Sequence, residues 1–432
     1  MTTVGGMLKR ILAIASGMLL GSVLAVGTAN VAGRYGWWPG RELDRSAAYV
    51  REVLQLVNDQ YVEPDRVSYD ELTKSALAGI IGSLDPHSDF LDARHYEVLR
   101  EEMQNEFGGI GVQVELQEGH VVVISPIAGT PGERAGVLRG DRIVRVDGEA
   151  MAGTAMDRVV TKLRGQPGTL VTVTFFRPDT GQEYTVEIRR ERIRVESVRE
   201  VRMLPDRTGY IQLTQFSERT GAELRDGLQR LAADGMQALV LDLRNNPGGL
   251  LTAAVEVAEA FFPRGELIVY TQGRQETDRE EFRSSLRAEP VKVPVAVLIN
   301  SGSASASEIV AGALKDTKRA VIVGERSFGK GSVQSIFRLK DGEALRLTTA
   351  RYFTPSGATI HEQGVVPDVE LVMTPEDDRK LAVQRARDDI SDPEQFEQRF
   401  GFEPIVDRQL EIALQVLQTA RLIEERKLAA AR

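Results

Sequence analysis

Val293-Pro-Val-Ala-Val-Leu-Ile-Asn300 runs straight into Ser301-Gly-Ser-Ala-Ser-Ala-Ser-Glu308 and then into an apolar segment. The first stretch carries no charge and reads as a strand buried on both faces, as in a parallel sheet. The Gly/Ser turn opens a helix over Ser305–Asp316. A strand that enters a helix through a tight turn sets a hydroxyl beside N–H groups that have no intrahelical partner. Aided by the helix dipole, those donors can hold a developing oxyanion. Ser305-x-x-Glu308 is equally a capping-box pattern, in which Ser305 only caps the helix. The segment alone leaves both readings open.

The same texture spreads outward. Gly209–Leu213, Ala238–Leu243, Leu267–Thr271 and Ala320–Gly324 read as strands, with helical patterns at Thr220–Asp234 and Leu250–Phe261. Such alternation argues an α/β layer with a largely parallel sheet. Asn245-Asn-Pro-Gly-Gly249, after one of these strands, offers a second set of backbone donors or an ordinary turn. A serine nucleophile needs a base, and His361 is the one histidine in this region. Lysine can serve instead once desolvation lowers its pKa. Lys330 stands in Ser327-Phe-Gly-Lys-Gly-Ser332, where the alternative is a solvated loop lysine. Gly324-x-x-x-x-Gly329-Lys330 approaches a phosphate loop. However, Gly331 stands where Ser or Thr should hold magnesium, and the strand Ser332–Leu339 follows where a helix is required. Both failures argue against nucleotide binding.

Upstream, Gly111–Leu116, His120–Ile124, Asp141–Val146 and Leu170–Phe176 read as short strands around one helix with Met156, Val159, Val160 and Leu163 on a face. This pattern describes a small β-rich module of roughly 85 residues. Its Phe107-Gly-Gly-Ile-Gly-Val112 turn can present converging N–H groups to a peptide's terminal carboxylate while the strand edge pairs with the peptide backbone. Residues 41–105 read as charged and helical, with Tyr49, Val50, Val53, Leu54 and Val57 at helical spacing. They form either a solvated arm or a self-association element. After Leu371 the chain turns polar and helical again, ending in Asp407–Lys427.

Composition narrows the chemistry. The 432 residues are 42% hydrophobic and 27% charged, enough to bury several cores, so wholesale disorder is excluded. No cysteine and only 4 histidines exclude disulfides, thiolate metal sites and a cysteine nucleophile, and disfavour a histidine metal centre. A net charge of −9 without a basic run argues against a nucleic-acid partner. Lys9 and Arg10 precede the uncharged stretch Ile11–Gly33, long enough to cross about 30 Å of hydrocarbon. The positive flank predicts a cytoplasmic N-terminus with the rest exported to the periplasmic or extracytoplasmic side. Ala25-x-Gly27 would suit a signal-peptide cleavage site, whereas Trp37 and Trp38 would suit the interface of a retained anchor.

Several stretches resemble the carboxyl-terminal processing peptidases, or tail-specific proteases, over roughly residues 75–372. Pro131-Gly-Glu-Arg-Ala-Gly-Val-Leu-Arg-Gly-Asp-Arg-Ile-Val-Arg-Val-Asp-Gly148 is similar to a PDZ signature. Asp242-Leu-Arg-Asn-Asn-Pro-Gly-Gly249, Ser303-Ala-Ser-Ala-Ser-Glu308 and Gly329-Lys-Gly331 are similar to the family's core motifs. The resemblance implies a crotonase-like α/β core with an inserted PDZ domain and helical N- and C-terminal arms. The expected layout is an anchor or signal peptide over 1–33 and a helical arm with the start of the core over 41–105. The PDZ domain follows over 106–192, the protease core over 193–372 and a helical region over 373–432. It further implies a serine endopeptidase that needs no metal or cofactor, with Ser305 as nucleophile, Lys330 as general base and Gln334 orienting the lysine. Gly248 or Gly249, with Ala306, would form the oxyanion hole. Gly109, Ile110, Gly111 and Val112 would bind the C-terminal tail of a protein substrate, and Arg164 would couple that binding to the active site. Self-association through the helical arms and a protein adaptor are further implied partners. Two rivals differ in class: a non-catalytic, membrane-tethered PDZ scaffold, and a crotonase-type acyl-thioester enzyme.

Overall fold

The computed structural model describes residues 41–117, 119–285, 289–387, 390 and 392–430. The apolar stretch Ile11–Gly33 and the Trp37/Trp38 pair lie outside the described residues. Among the described residues, no helix is long and apolar enough to cross a membrane. The chain forms two compact units divided after Phe90. In the first, helix α1 (Arg41–Gln60) and helix α2 (Tyr69–Gly82) are joined through a short 3-10 turn. The Ser68 hydroxyl caps α2 by accepting the Glu71 N–H. Tyr49, Val50 and Val53 of α1 are exposed.

The second unit opens with α3 (Ala93–Gln104) and the short strand β1 (Glu106–Gly109). A β-rich domain follows: β2 (Val112–Gln117), β3 (His120–Pro126), α4 (Pro131–Arg134), β4 (Arg142–Val146), β5 (Glu149–Ala150), α5 (Met156–Leu163), β6 (Leu170–Arg177) and β7 (Gln182–Arg189). Its strand order is β2-β3-β4-β6-β7, with β5 on β4. Period-2 alternation sends Val171, Val173 and Phe175 inward with Val121, Ile143, Val159 and Leu163, building one core. The strand β8 (Glu191–Arg194) then pairs antiparallel with β1, so both chain crossings into the β-rich domain run through one two-stranded ribbon.

The α/β core follows in chain order: β9 (Val198–Leu204), β10 (Thr208–Leu213), α6 (Thr220–Ala233), β11 (Ala238–Asp242), α7 (Leu251–Glu259), β12 (Leu267–Gln272), β13 (Arg279–Arg283), β14 (Val295–Ile299), α8 (Ala306–Asp316), β15 (Ala320–Gly324), β16 (Ser332–Arg338), β17 (Ala344–Phe353) and β18 (Val369–Glu370). Its main sheet has the order β9-β10-β11-β14-β15-β18, parallel except for β9 against β10. Leu239, Leu241, Val297 and Ile299 face the helices α6, α7 and α8. Val240, Ala296 and Leu298 face the opposite way. Helix α9 (Pro375–Ala386), helix α10 (Pro393–Phe400) and helix α11 (Arg408–Ala430) close the chain. Ala413 and Leu417 of α11 pack on that opposite face. The C-terminal helical region, read from sequence as a flanking arm, therefore supplies a layer of the core. Burial on both faces explains why β14, and β11 up to its last residue, Asp242, are apolar runs. A second, antiparallel sheet pairs β17 with β16 and with β12, and β12 with β13.

Candidate active site

In open parallel sheets, chemistry gathers beyond the carboxyl ends of the strands, and here the loops after β11, β14 and β15 meet. Asn245 and Asn300, at the ends of adjacent strands, bond each other twice: Asn300 Oδ1 accepts the Asn245 N–H at 2.8 Å and Asn300 Nδ2 donates to Asn245 Oδ1 at 2.9 Å. Ser303 Oγ donates to the Leu243 carbonyl and Ser307 Oγ to the Asn246 carbonyl. Ala304 N–H also reaches the Asn246 carbonyl, at 3.0 Å. These bonds fix the loop that carries Ser305.

Ser305 is the N-cap of α8 and is held at φ 54°, ψ −112°, a region that L-residues rarely occupy. Glu308 does more than cap. Its carboxylate is wholly buried and accepts four hydrogen bonds. Oε2 takes the N–H groups of Ser305 (2.8 Å) and Lys330 (2.9 Å), while Oε1 takes Ser327 Oγ–H (2.5 Å) and the Gly329 N–H (2.7 Å). Burial pushes its pKa up and the four donors pull it back. One side chain thus ties the serine turn to the lysine loop. Phe328 N–H adds a bond to the Ser303 carbonyl at 3.0 Å. The sequence shows the three-residue spacing of Ser305 and Glu308, but gives no sign of the donors that arrive from the lysine loop.

The glycines around Lys330 allow close backbone approach. A Cβ on Gly331 would lie 2.3 Å from the His361 nitrogen, and Gly329 has φ 95°. Tyr352 N–H bonds the Gly331 carbonyl. Burial, then the positive charge of Arg346, hold the Lys330 amine below its ordinary pKa, with Glu308 pulling the other way. Among the described residues, the Lys330 amine makes no hydrogen bond or ion pair, so it is not bonded to Ser305 Oγ. The Ser305 hydroxyl instead sits beside the buried Tyr352 phenol, which burial pushes up to about 12 while the serine pulls it down. Tyr352, Arg346 and the wider role of Glu308 were not anticipated from the sequence.

Among the described residues, Gln334 makes no hydrogen bond to Lys330. Its amide nitrogen donates to Ser332 Oγ at 2.8 Å, because residues two apart on a strand share a face. The two glycines also differ. Gly248 N–H is taken by Asn246 Oδ1 at 3.0 Å, although Gly248 lies against the serine: a Cβ there would sit 2.8 Å from Ser305 Cβ and 2.9 Å from Ala306 N. Among the described residues, the N–H groups of Gly249 and Ala306 have no hydrogen-bond partner.

In the β-rich domain, a groove runs between β2 and α5, lined by Phe107, Gly109–Val112, Val114, Val160, Leu163 and Arg164. Among the described residues, the N–H groups of Ile110 and Gly111 are without partners, while the Gly111 carbonyl accepts Ile127 N–H and Thr130 Oγ1–H. Gly111 has φ 74°, and a Cβ on it would meet Thr130 at 2.3 Å, so only glycine makes this turn. Arg164 lies with Cζ 4.5 Å from the centre of the Phe107 ring, and Phe107 belongs to the ribbon strand β1. The arginine therefore joins the end of α5 to the crossing between domains.

Residues 207–371 match peptidase family S41, and residues 108–188 match a PDZ domain. A carboxy-terminal-processing protease of Bartonella bacilliformis is 39% identical over 368 residues, covering 84% of this chain and 82% of its own. The chain belongs to peptidase family S41. It is a serine-type endopeptidase of the carboxy-terminal-processing class, with a PDZ domain. A CtpA-like serine protease of Staphylococcus aureus is 36% identical over 74% of this chain and 64% of its own, so the chain spans slightly less than two thirds of that relative. Among solved structures, a photosystem II D1 C-terminal processing protease is 31% identical, covers 74% of this chain and 92% of its own, and has a TM-score of 0.44.

Proposed function

We propose that Ser305 and Lys330 form the catalytic pair of this S41 peptidase, and that its PDZ groove selects substrates by their C-terminal tails. The observation that carries the reading is the Glu308 carboxylate, bonded at once to the backbones of Ser305 and Lys330. The neutral amine takes the Ser305 proton as Oγ attacks a peptide carbonyl. The tetrahedral oxyanion is held by the N–H groups of Gly249 and Ala306, two donors without a partner among the described residues. The protonated lysine then returns its proton to the leaving amine, and water, deprotonated by Lys330, hydrolyses the acyl-enzyme. A lowered lysine pKa supports this role, since only the neutral amine can accept a proton.

Ile110 and Gly111 N–H groups with an apolar groove floor support capture of a tail carboxylate with its last side chain buried. The Arg164–Phe107 stack on the ribbon supports a coupling in which an occupied groove brings the amine within reach of Ser305. Gln334 is better placed to hold Ser332 than to orient the lysine. The parallel order of β10, β11, β14 and β15 supports a crotonase-like core. Residues 106–192 would then be the inserted PDZ domain and 193–372 the protease core. The charge asymmetry around Ile11–Gly33 supports membrane contact and a site of action on the extracytoplasmic side. The exposed apolar residues of α1 support self-association.

The test is fragment mass spectrometry on a mixture of exported proteins treated with the wild-type, Ser305→Ala and Lys330→Ala chains. Cleavage confined to the wild type, on proteins with defined tails, is expected. Full activity in purified Lys330→Ala would sink the base assignment.

A further inference from the structure

The loop that carries Asn246, Gly248 and Gly249 begins at Arg244, and Arg244 is gripped from beyond the segment that matches family S41. Its guanidinium is bidentate to Asp407, with Nη1 to Oδ1 and Nη2 to Oδ2 both 2.9 Å. Nη1 also donates to Gln409 Oε1 at 3.0 Å, and Gln409 Nε2 donates to the Leu371 carbonyl. The opposite edge of the guanidinium is held by Asp242, at 2.6 Å from Nη2. The Asp242 carboxylate in turn accepts the Tyr210 hydroxyl and the Arg244 N–H. Arg385 of α9 bonds Asp407 as well and lies 3.6 Å from Asp242. Asp407 Oδ1 also accepts the Leu410 N–H, capping α11.

The side chains of Asp242 and Arg244 are almost fully buried, at 0% and 2% exposure. A buried ion pair of this kind adds little net stability over apolar packing, but its planar fork fixes direction. The direction it fixes is that of the loop. Two residues after Arg244, the Asn246 side chain takes the Gly248 N–H and donates to the Leu213 carbonyl, while its carbonyl holds Ala304 and Ser307. Arg244 is thus two residues from the side chain and carbonyl that tie the glycines to the Ser305 turn.

We propose that Asp407 is a positioning residue for proteolysis: acting through Arg244, it sets the 245–249 loop so that the Gly249 N–H meets the oxyanion. This rests on the Ser–Lys reading above. The C-terminal region, through Asp407, then governs the rate of the chemical step while leaving tail recognition to the PDZ groove.

The test uses the full chain in wild-type, Ser305→Ala and Asp407→Asn forms. The readouts are steady-state cleavage of an unfolded protein with an apolar C-terminal tail, anisotropy of a labelled tail peptide and thermal melting. Asp407→Asn is expected to lower kcat by about tenfold or more, as misplacement of transition-state donors does, with KM and tail affinity close to wild type. Unchanged kcat in folded Asp407→Asn, or a rise in KM alone, would overturn the inference. Should that variant not fold, Asp407→Glu is read on the same scales, because it keeps the charge but displaces the guanidinium by one methylene. Wild-type cleavage that survives Ser305→Ala would overturn the Ser–Lys reading and this inference with it. Cleavage lost in Ser305→Ala but intact in Asp407→Asn overturns the inference alone.

Discussion

Replacing Glu308 with glutamine tests the link between the proposed nucleophile, Ser305, and the proposed base, Lys330. The carboxylate accepts four hydrogen bonds, two on each oxygen. An amide has only one oxygen. If it faces Ser305 and Lys330, the NH2 group points at Ser327 Oγ and the Gly329 N–H. Ser327 Oγ already accepts the Val365 N–H at 2.6 Å, so it can take the new donor only by leaving its own proton without a partner. Gly329 N–H would confront a second donor. The opposite rotamer moves the same conflict to the N–H groups of Ser305 and Lys330. Either way, one or two buried donors lose their acceptor at about 1–3 kcal/mol each, so Glu308→Gln should cost about 2–3 kcal/mol. At about 1–2 °C per kcal/mol for a unit of this size, melting should fall by roughly 2–6 °C. Because the serine turn and the lysine loop shift relative to each other, kcat should fall about 100-fold even well below the melting point. Differential scanning fluorimetry and cleavage of an unfolded tailed substrate read the two effects. A glutamine variant that melts within about 1 °C of wild type and cleaves at the wild-type rate would refute the reasoning.

Four further outcomes follow from the geometry. Lys330→Met should abolish cleavage, and because Lys330 is held below its unfolded pKa, the unfolded chain binds more protons between the two values, so wild-type stability rises with pH there. Melting curves across pH should show that slope disappear in the methionine variant. In the proposed mechanism activity requires the neutral amine, so kcat should climb through an ionisation below the ordinary lysine value of about 10.4, and Arg346→Gln, by removing a like charge, should move that limb to higher pH in a pH–rate profile. Ser305→Gly should be inactive yet up to about 1 kcal/mol more stable in denaturant titration, because φ 54° suits glycine better than serine. Gly248→Ala should lower kcat at least about 100-fold with unchanged tail-peptide affinity, since its methyl would press on Ser305 Cβ and Ala306 N.

What the sequence made legible was decided by burial. Ala238–Asp242, Val295–Ile299 and Ala320–Gly324 are covered on both faces, so each, apart from Asp242 at the end of the first, is an apolar run that reads as a strand without help from its neighbours. Gln182–Arg189 and Arg279–Arg283 carry charges along exposed positions, and their strand character depends on partners elsewhere in the chain: Leu170–Arg177 for the first, Leu267–Gln272 for the second. Ala344–Phe353 is half-buried along most of its length, and no local pattern announces its pairing with Ser332–Arg338. The helix at Asp407–Lys427 was readable, but its burial against Val240 and Leu298 was not, because a helix's periodicity shows which face is apolar and not what covers it. At the site, Ser305 and Lys330 stood out through their Gly/Ser surroundings. Tyr352 sits in an ordinary strand sequence, and only the sheet pairing brings its backbone to Gly331. That the Gln334 amide bonds Ser332 follows from residues 332 and 334 of one strand pointing the same way.

The capping reading and the catalytic reading of Ser305-x-x-Glu308 turn out not to compete. A capping box satisfies the orphan donors at a helix start within its own first turn. Here the reciprocal half is kept, with Glu308 accepting the Ser305 N–H, and the Glu308 N–H bonds the Ser305 carbonyl at 2.9 Å. The carboxylate's remaining lone pairs go to Ser327, Gly329 and Lys330, and so carry the cap across to a second loop. At the same turn, Ala306 keeps an open N–H because it is the first residue of α8. On the proposed reading, the ordinary physics of a helix N-terminus thus supplies the mount of Ser305, one oxyanion donor and the anchor for the Lys330 backbone. Moving any one of them requires moving the helix start itself. This is why the positive φ of Ser305, a local cost of about 1–3 kcal/mol, can persist: relaxing it within the folded protein would break bonds to three segments at once.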